Sequence, residues 1–340
     1  MNILTKEQRI KAFTELGQQL RKTPEYLAET IANAVYKNPW YTAPNVEQSI
    51  SAISANLEES KLTNWLQPYP DVTSEKTVGL VLAGNIPLVG FHDILCVLLA
   101  GFKAQIKVSS DDAGLTTAIL GLLVDVEPRF AERFQLVDRL HDFDLVIATG
   151  SDNSSRYFEY YFGKKPHIIR KNRNSIAVLS GNESSEQLQQ LGHDIFDYFG
   201  LGCRSVSKIF VPKGYNVAHL FEGLEQFSAI GDHFKYNNNY DYNKSIYLIN
   251  KDRHFDNGFL LLKEDDRTAS PLAVLFFQEY DNIQQVEDTL NASAEQVQCI
   301  TTAIALKTEI PTFQFGQSQC PALDDYADGI NTLDFLFANQ

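Results

Sequence analysis

The feature that most constrains the fold is an alternation, beginning at Lys76, between short apolar segments and longer amphipathic ones. Segments of strand length lie at 77–83, 103–109, 134–137 and 145–149, and segments with helical periodicity lie at 88–100, 112–124 and 153–162. Parallel strands need a long crossover connection, which a helix supplies. The alternation therefore predicts an α/β unit built on a largely parallel sheet.

The same alternation repeats after Arg173 and predicts a second α/β unit. Its predicted strands are 176–180, 208–211, 245–249, 259–262 and 274–277, and its predicted helices are 185–199, 217–227 and 283–290. The first 70 residues differ, because apolar positions three and four apart indicate helices at 6–20, 24–37 and 46–57. We expect a helical N-terminal segment followed by two α/β domains.

Two polar stretches interrupt this pattern. Lys164–Asn174 is basic in an acidic chain. It is either a crossing point between domains, where ligands often bind, or a solvated loop. The other stretch, Phe234–Tyr242, indicates no particular chemistry.

The charge and hydropathy of the chain disfavour several classes of partner. The 29 basic and 43 acidic residues give a net charge of -14, which repels nucleic-acid phosphates and anionic lipid. The longest apolar run, Ile94–Phe102, is far shorter than the ~20 residues of a membrane-spanning helix, and Met1–Arg9 is polar rather than signal-like. We expect a cytoplasmic protein with no membrane span and no nucleic-acid partner.

The four cysteines lie far apart without a C-x-x-C pair, and the seven histidines are scattered singly, so we predict neither a disulfide framework nor a metal site. Cys203 has the surroundings of a nucleophile. It lies in Gly-Leu-Gly-Cys-Arg, where glycines allow close approach of a substrate, and where Arg204 and backbone N–H groups favour the thiolate. The alternative is a small packed thiol. Cys96 lies in an apolar helix and Cys299 in a strand.

Two predicted strands end in segments suited to ligand binding, because α/β proteins bind ligands at the carboxyl ends of parallel strands. Asn85 follows the first strand and is either an oxyanion donor or a turn former. Gly150 and Ser151 precede a helix, where N–H groups can cradle a phosphate, although serine is also a common N-cap. No G-x-G-x-x-G follows any strand.

In order along the chain, five segments resemble motifs of the aldehyde dehydrogenase superfamily, and within it those of the LuxC-like acyl-CoA reductase family. They are GNIPLVGFHD, ATGSDNSSRYF, GLGCRSVSKIFVP, ASPLAVLF and FGQSQCPALDDYADG, and the resemblance covers about residues 75 to 338. It implies an aldehyde-dehydrogenase-like α/β fold with two Rossmann-like domains. Residues 1–172 would form the helical N-terminal segment and the cofactor-binding domain, 173–316 the catalytic cysteine domain, and 317–340 a C-terminal tail.

The resemblance also implies a role for each matched residue. Cys203 would accept the acyl group as a thioester, and Asn85 with the backbone N–H of Cys203 would hold the oxyanion. Phe315 would help to close the acyl tunnel. The positions implied to bind a nicotinamide cofactor are Lys107 and Ser109 at the adenosine ribose and Gly150 and Ser151 at the diphosphate.

Two segments depart from the superfamily pattern. Where many aldehyde dehydrogenases carry Glu-Leu-Gly-Gly, with the glutamate activating water, this chain has Arg170-Lys171-Asn172-Arg173. The hydrolytic base is therefore missing from the expected position, and Arg170 becomes a candidate contact for the phosphates of CoA, with a solvated linker as the alternative. Near Ser270-Pro271, Arg267 occupies the position of a glutamate that contacts the nicotinamide ribose.

Together these residues predict NADPH-dependent reduction of a fatty acyl thioester to the aldehyde. The acyl donor would be acyl-CoA or an acyl carrier, and a homodimer is one assembly that we consider. NADPH is preferred to NADH because Ser110 stands where NAD-preferring relatives often have glutamate, although Asp111 and Asp112 argue the opposite way. The alternatives are an aldehyde or semialdehyde dehydrogenase and a non-redox acyl-binding or acyltransferase protein.

Overall fold

The computed structural model describes residues 4–340, except for the side chain of Asp152. It divides into unit 1, which runs to Asn172 and includes Ala322–Gln340, and unit 2, Arg173–Pro321. The sequence indicated a C-terminal tail from residue 317. In the structure, residues 322–340 belong to unit 1, because Leu333 and Leu336 of the last helix are fully buried in its core.

Unit 1 begins with four helices: α1 Lys6–Lys22, α2 Glu25–Lys37, α3 Ala43–Asn56 and α4 Glu59–Leu66. Helix α1 begins with a capping box, in which the Thr5 and Gln8 side chains each accept a hydrogen bond from the other residue's backbone N–H. Its apolar stripe, including Phe13 and Leu16, is completely buried. This amphipathic face packs the N-terminal helices into the same core as the sheet that follows.

The sheet of unit 1 contains β1 Thr77–Val81, β2 Lys103–Lys107, β3 Phe134–Leu136, β4 Leu145–Thr149 and β5 His167–Arg170. All neighbours are parallel, in the order β3-β2-β1-β4-β5. Its remaining helices are α5 Phe91–Leu99, α6 Leu115–Val126, α7 Asp152–Phe162 and, from the C-terminal segment, α12 Thr332–Ala338. The strand order reverses between β1 and β4, which creates a crevice at their carboxyl ends.

Unit 2 contains β6 Asn174–Val178, α8 Ser185–Phe196, β7 Val206–Pro212, α9 Val217–Leu224, α10 Phe234–Asn250, β8 Phe255–Asp256, β9 Leu261–Glu264, β10 Val274–Tyr280, α11 Ile283–Ala292, β11 Val297–Thr302 and β12 Thr312–Phe313. The strand order is β12-β11-β6-β7-β10-β9-β8, and of these neighbours β8 and β9 alone are antiparallel. The predicted mixed α/β architecture with parallel sheets is confirmed.

One strand prediction is wrong. Residues 245–249 belong to helix α10, and the polar stretch 234–242 is the first half of that helix. The buried positions of α10 recur at helical spacing, at Tyr236, Tyr240, Asn243 and Tyr247. Tyrosine tolerates burial there because its hydroxyl finds an acceptor, as Tyr236 does at the carbonyl of Phe259, 3.1 Å away.

Among residues 4–340, no helix combines the length and apolar character that crossing a lipid bilayer requires.

Candidate active site

Cys203 lies in unit 2, in a short turn (residues 202–205) just before the central strand β7. Two hydrogen bonds close this turn, from Ser205 N to the Gly202 carbonyl at 3.0 Å and from Gly202 N to Ser205 Oγ at 3.2 Å. Ser175 on the neighbouring strand β6 donates to the Cys203 carbonyl at 3.0 Å. The half-buried thiol therefore sits on backbone that the sheet holds in place.

The other three cysteines are poorer nucleophiles. Cys96 is fully buried in α5, and burial raises the pKa of its thiol well above the usual range. Cys299 is buried in β11, with its sulfur 3.1 Å from Ser175 Oγ. Cys320 is exposed, but partial desolvation and the nearby carboxylates of Asp197 and Asp194 raise its thiol pKa. Accessibility therefore favours Cys203 over the buried Cys96 and Cys299, and the raised thiol pKa disfavours Cys320.

The backbone that leads into the cysteine turn is strained. The predicted helix 185–199 ends at Phe196, and Tyr198 and Phe199 then adopt φ angles of 54° and 59°. Left-handed backbone in two successive aromatic residues costs free energy and persists only where the surroundings enforce it. The chain thereby turns sharply out of α8 and into the cysteine turn.

A C-terminal loop of unit 2, residues 314–319, packs on α8 and contacts the cysteine turn. Gln319 Nε2 donates to Ser205 Oγ at 3.2 Å, and Arg204 Nη1 lies 3.5 Å from the carbonyl of Ser318. Phe315, predicted to help close an acyl tunnel, is 6% exposed and belongs to the hydrophobic core that includes residues of α8 and α9. Its role in the tunnel stays a prediction.

Asp194 on α8 holds this loop, and sequence reasoning missed it. Its carboxylate is fully buried and accepts hydrogen bonds from Gly316 N and from the N–H and hydroxyl of Ser318. Burial raises its pKa, and these hydrogen bonds oppose the rise. The sequence did carry one signal for a buried carboxylate: Asp194 comes three positions after Leu191, on the apolar stripe of an amphipathic helix.

In unit 1, the residues predicted to bind the cofactor follow adjacent parallel strands, as does Asn85, which was predicted to be an oxyanion donor or a turn former. Asn85 follows β1, Lys107 and Ser109 lie at the end of β2, and Gly150 and Ser151 follow β4. The ends of β1 and β2 touch, since a Cβ on Gly84 would lie 2.5 Å from Ser109 Oγ. The structure thus gathers this predicted set at the crevice of the sheet.

The Gly150–Ser151 turn is tightly packed against α7. A Cβ on Gly150 would lie 2.8 Å from the Phe158 ring, so only glycine fits without a shift. Ser151 is the N-cap of α7 and accepts a hydrogen bond from Ser154 N. The turn therefore brings a capped helix N-terminus to the crevice, which suits a diphosphate.

Tyr41, in the N-terminal helical segment, braces the loop that carries Asn85 and was not anticipated from the sequence. Its hydroxyl lies 3.0 Å from the carbonyl oxygens of both Gly84 and Ile86. The tyrosine is 1% exposed, and burial raises its pKa, so the hydroxyl stays a neutral donor. Ser49 of α3 adds a hydrogen bond to the Pro87 carbonyl at 2.8 Å.

The acidic residues near the predicted ribose site differ in orientation. Asp112 is buried and accepts hydrogen bonds from Thr116 N at 3.0 Å and Thr116 Oγ1 at 2.6 Å. Burial raises the pKa of this carboxyl. Ser110 and Asp111 are exposed. Asp112 is therefore engaged with the first turn of α6.

Arg170, the predicted substrate contact, is not in a solvated loop. It ends strand β5, is 5% exposed, and forms an ion pair with Asp93 of α5 and a hydrogen bond to Thr332 of α12. Burial opposes its charge, but the charge of Asp93 and the hydrogen bond to it more than compensate, so the pKa of Arg170 rises. The structure thus commits this guanidinium to holding three elements of unit 1 together.

Arg267 of unit 2 is likewise engaged. Its guanidinium makes two hydrogen bonds to Asp265, at 2.8 and 2.6 Å, and lies over the Phe276 ring. The pair holds the pKa of Asp265 well below its usual range. Among the described residues, no group of three or more histidine, cysteine or carboxylate side chains is placed to hold a metal ion.

Two of three comparisons with known proteins found matches. The family model of acyl-CoA reductase (LuxC) matches residues 53–223. An aldehyde dehydrogenase of Physcomitrella patens, solved with its reaction product succinate, has a TM-score of 0.70 at 13% identity over 98% of this chain and 84% of that one. A search of curated proteins found no match.

Two further solved structures have the same fold. A benzaldehyde dehydrogenase of Corynebacterium glutamicum, described as NAD-dependent, has a TM-score of 0.68 at 14% identity, covering 87% of this chain and 76% of that one. An aldehyde dehydrogenase of Mycobacterium tuberculosis, complexed with NAD+, has a TM-score of 0.62 at 13% identity, covering 87% and 73%. These similarities confirm the predicted aldehyde-dehydrogenase-like fold.

Proposed function

Because the chain belongs to the LuxC acyl-CoA reductase family of the aldehyde dehydrogenase superfamily, we propose that it reduces a fatty acyl thioester to the aldehyde through a thioester on Cys203. The observation that carries the proposal is the half-buried thiol at the head of β7, on a turn fixed by Ser175 and Ser205. The proposed acyl donor is a CoA or carrier thioester, in keeping with the family match.

The first half-reaction is acyl transfer. The Cys203 thiolate attacks the thioester carbonyl, a bond forms between its sulfur and the acyl carbon, and the donor leaves as its thiolate. The backbone N–H of Cys203 and the side chain of Asn85 are the proposed donors to the oxyanion, which needs fixed N–H groups more than the neutral carbonyl does. No electrons are transferred in this half-reaction.

The second half-reaction uses a nicotinamide cofactor, which supplies a hydride to the acyl carbon when bound. The Cys203 sulfur then leaves as thiolate, and the aldehyde is released. The crevice of unit 1 fits such a cofactor, because Gly150 and the start of α7 lie at the reversal of strand order, where diphosphates bind in such sheets. We propose Lys107, Ser109 and Ser151 as further contacts.

We propose NADPH as the preferred cofactor. Asp112 would repel a 2′-phosphate if it faced the ribose, but its carboxylate is occupied by Thr116. Ser110 and Asp111 remain exposed. The Asp112 carboxylate is turned toward Thr116 and held away from solvent, so one of the two carboxylates that argue against NADPH is engaged elsewhere, which supports the preference inferred from Ser110.

Steady-state turnover tests this function. Purified protein is mixed with NADPH and a panel of acyl-CoA esters, and loss of NADPH absorbance is followed together with aldehyde formation. Cys203→Ala should abolish turnover, whereas the matched variant Cys320→Ala, which removes an exposed cysteine, should retain it.

The same assay separates the two alternatives. With an aldehyde and NADP+ or NAD+ in place of acyl-CoA and NADPH, formation of free acid without any thiol at a rate exceeding acyl-CoA reduction would identify an aldehyde dehydrogenase. Acylation of the protein without consumption of NADPH or NADH would identify a non-redox acyl-binding or acyltransferase protein. Either result would overturn the proposal.

A further inference from the structure

A single buried carboxylate joins helix α8 to the loop 314–319 of unit 2. Asp194 Oδ2 accepts the N–H of Gly316 at 2.7 Å, and Oδ1 accepts the N–H and hydroxyl of Ser318 at 3.0 and 2.7 Å. All three donors belong to the loop. Since the side chain is fully buried, water cannot replace any of these bonds without opening the core.

Close packing adds to this attachment. Gly316 has a φ of +82°, and a Cβ there would lie 2.3 Å from Gln190 Oε1. Gln190 and Asp194 are one helical turn apart, so both act on the loop from the same face of α8. The loop backbone is therefore seated directly on the helix.

The other side of the loop reaches the cysteine turn. Ser205 Oγ accepts both the side chain of Gln319 and the backbone N–H of Gly202, at 3.2 Å each. Arg204 reaches the carbonyl of Ser318, and the N–H of the same residue donates to Asp194. A displacement of the loop would thus be transmitted to the residues on both sides of Cys203.

We propose that Asp194 is a positioning residue for Cys203: by fixing Gly316 and Ser318 it holds the loop 314–319 against the turn 202–205 and so sets the position of the nucleophile. The inference rests on the proposed acyl transfer to Cys203. Asp194 itself does not touch the reacting atoms. Its effect is geometric, and misplacement of a reacting group by about an ångström can lower a rate by about 10²-fold.

The test compares Asp194→Asn with a matched control. Asparagine keeps the size but replaces one acceptor oxygen with an NH2 group that faces an N–H donor. The control is Glu183→Gln. Glu183 is also buried and accepts two backbone N–H groups and one hydroxyl, but from Ser180 and Gly181 in its own turn.

Two rates are measured for each protein by rapid quench and mass spectrometry: acylation of Cys203 by acyl-CoA and alkylation of Cys203 by iodoacetamide. Both are expressed per folded molecule, with the folded fraction taken from thermal unfolding. The KM for NADPH is taken from steady-state turnover. Asp194→Asn should slow acylation by about 10- to 100-fold and leave the KM for NADPH within about twofold. Glu183→Gln should lower Tm while acylation stays within about twofold of wild type.

Ser318→Ala provides a second variant if Asp194→Asn does not fold. It removes one of the three donors, leaves both carboxylate oxygens paired, and should slow acylation by about two- to tenfold. Wild-type acylation rates in the folded Asp194 or Ser318 variant, or an equal loss in Glu183→Gln, would overturn the inference. If wild-type protein is not acylated at all, the proposed function fails instead. The rate of Cys203 alkylation then tests the inference. It should differ from the wild-type rate by more than about threefold in Asp194→Asn and not in Glu183→Gln.

Discussion

Removal of the Asp93 carboxylate from unit 1 should destabilise the protein strongly. Asp93 and Arg170 are 6% and 5% exposed, and their ion pair is joined by a hydrogen bond from Arg170 to Thr332. Asp93→Ala leaves the buried guanidinium without its ion-pair partner, which typically costs about 3–5 kcal/mol. For a unit of this size, each kcal/mol lowers Tm by about 2–4 °C, so we expect a fall of about 6–20 °C.

Differential scanning calorimetry measures this effect, and two further variants control it. Glu58→Ala breaks the exposed pair with Lys61 and should change stability by less than about 1 kcal/mol. Asp93→Leu combined with Arg170→Met replaces the pair by apolar side chains and should recover most of the loss.

The same variants distinguish the structural role of Arg170 from the substrate contact that the sequence indicated. A structural ion pair predicts that Arg170→Met lowers Tm and leaves the KM for acyl-CoA within about twofold in the folded fraction. If Tm stays within about 2 °C of wild type while KM rises about tenfold, Arg170 binds substrate and the reasoning from burial is refuted.

Three further outcomes are expected. Asn85→Ala should lower turnover by about 10²- to 10³-fold with a smaller change in substrate binding, and turnover within a few-fold of wild type would make Asn85 a turn residue. Tyr41→Phe removes the hydroxyl that braces the Asn85 loop and should lower turnover about two- to tenfold, with Tyr36→Phe, on the exposed face of α2, as the silent control. The kcat/KM should be higher with NADPH than with NADH, and Asp112→Asn should leave that ratio within about twofold if its carboxylate is turned inward as observed. A clear NADH preference would contradict the inference from Ser110.

The sheet architecture followed from the sequence because its signal is local. Strand β4 was predicted with the observed bounds, and β1 and β2 begin at the predicted residues, since each is a short apolar run between amphipathic segments. Strand β5 was obscured by its basic composition. Arg170 at its end is buried because Asp93 balances its charge. Asp93 lies 77 residues away in the sequence, so the pair leaves no local pattern.

Helix α10 shows where a local sequence pattern predicts the wrong element. Residues 245–249 are apolar and β-branched enough to resemble a strand, yet the buried tyrosines before them continue at helical spacing. Tertiary contacts that satisfy those hydroxyls decide the outcome, and they cannot be read locally.

The candidate site was partly accessible from the sequence. The surroundings of Cys203 pointed to a nucleophile because glycines and an arginine flank it. The residues that fix the neighbouring loops were not visible, since Asp194 binds backbone of the loop 314–319 and Tyr41 binds backbone of the loop that carries Asn85. A carboxylate that binds mainly backbone N–H groups carries no motif of its own, because backbone donors are the same whichever residue supplies them.

The proposed reaction requires a thioester at Cys203 that is released by hydride and not by water. Neither Arg170 nor Lys171 can serve as the base that water requires, and both are paired with carboxylates, at Asp93 and Glu159. The decisive measurement is intact-protein mass spectrometry after mixing with one equivalent of acyl-CoA, followed by addition of buffer, CoA or NADPH. We expect an acyl adduct on Cys203 that persists in buffer, returns to acyl-CoA with CoA, and is lost with NADPH as one equivalent of aldehyde appears. An adduct that survives Cys203→Ala, or one that water releases as fast as NADPH does, would contradict the proposed reaction.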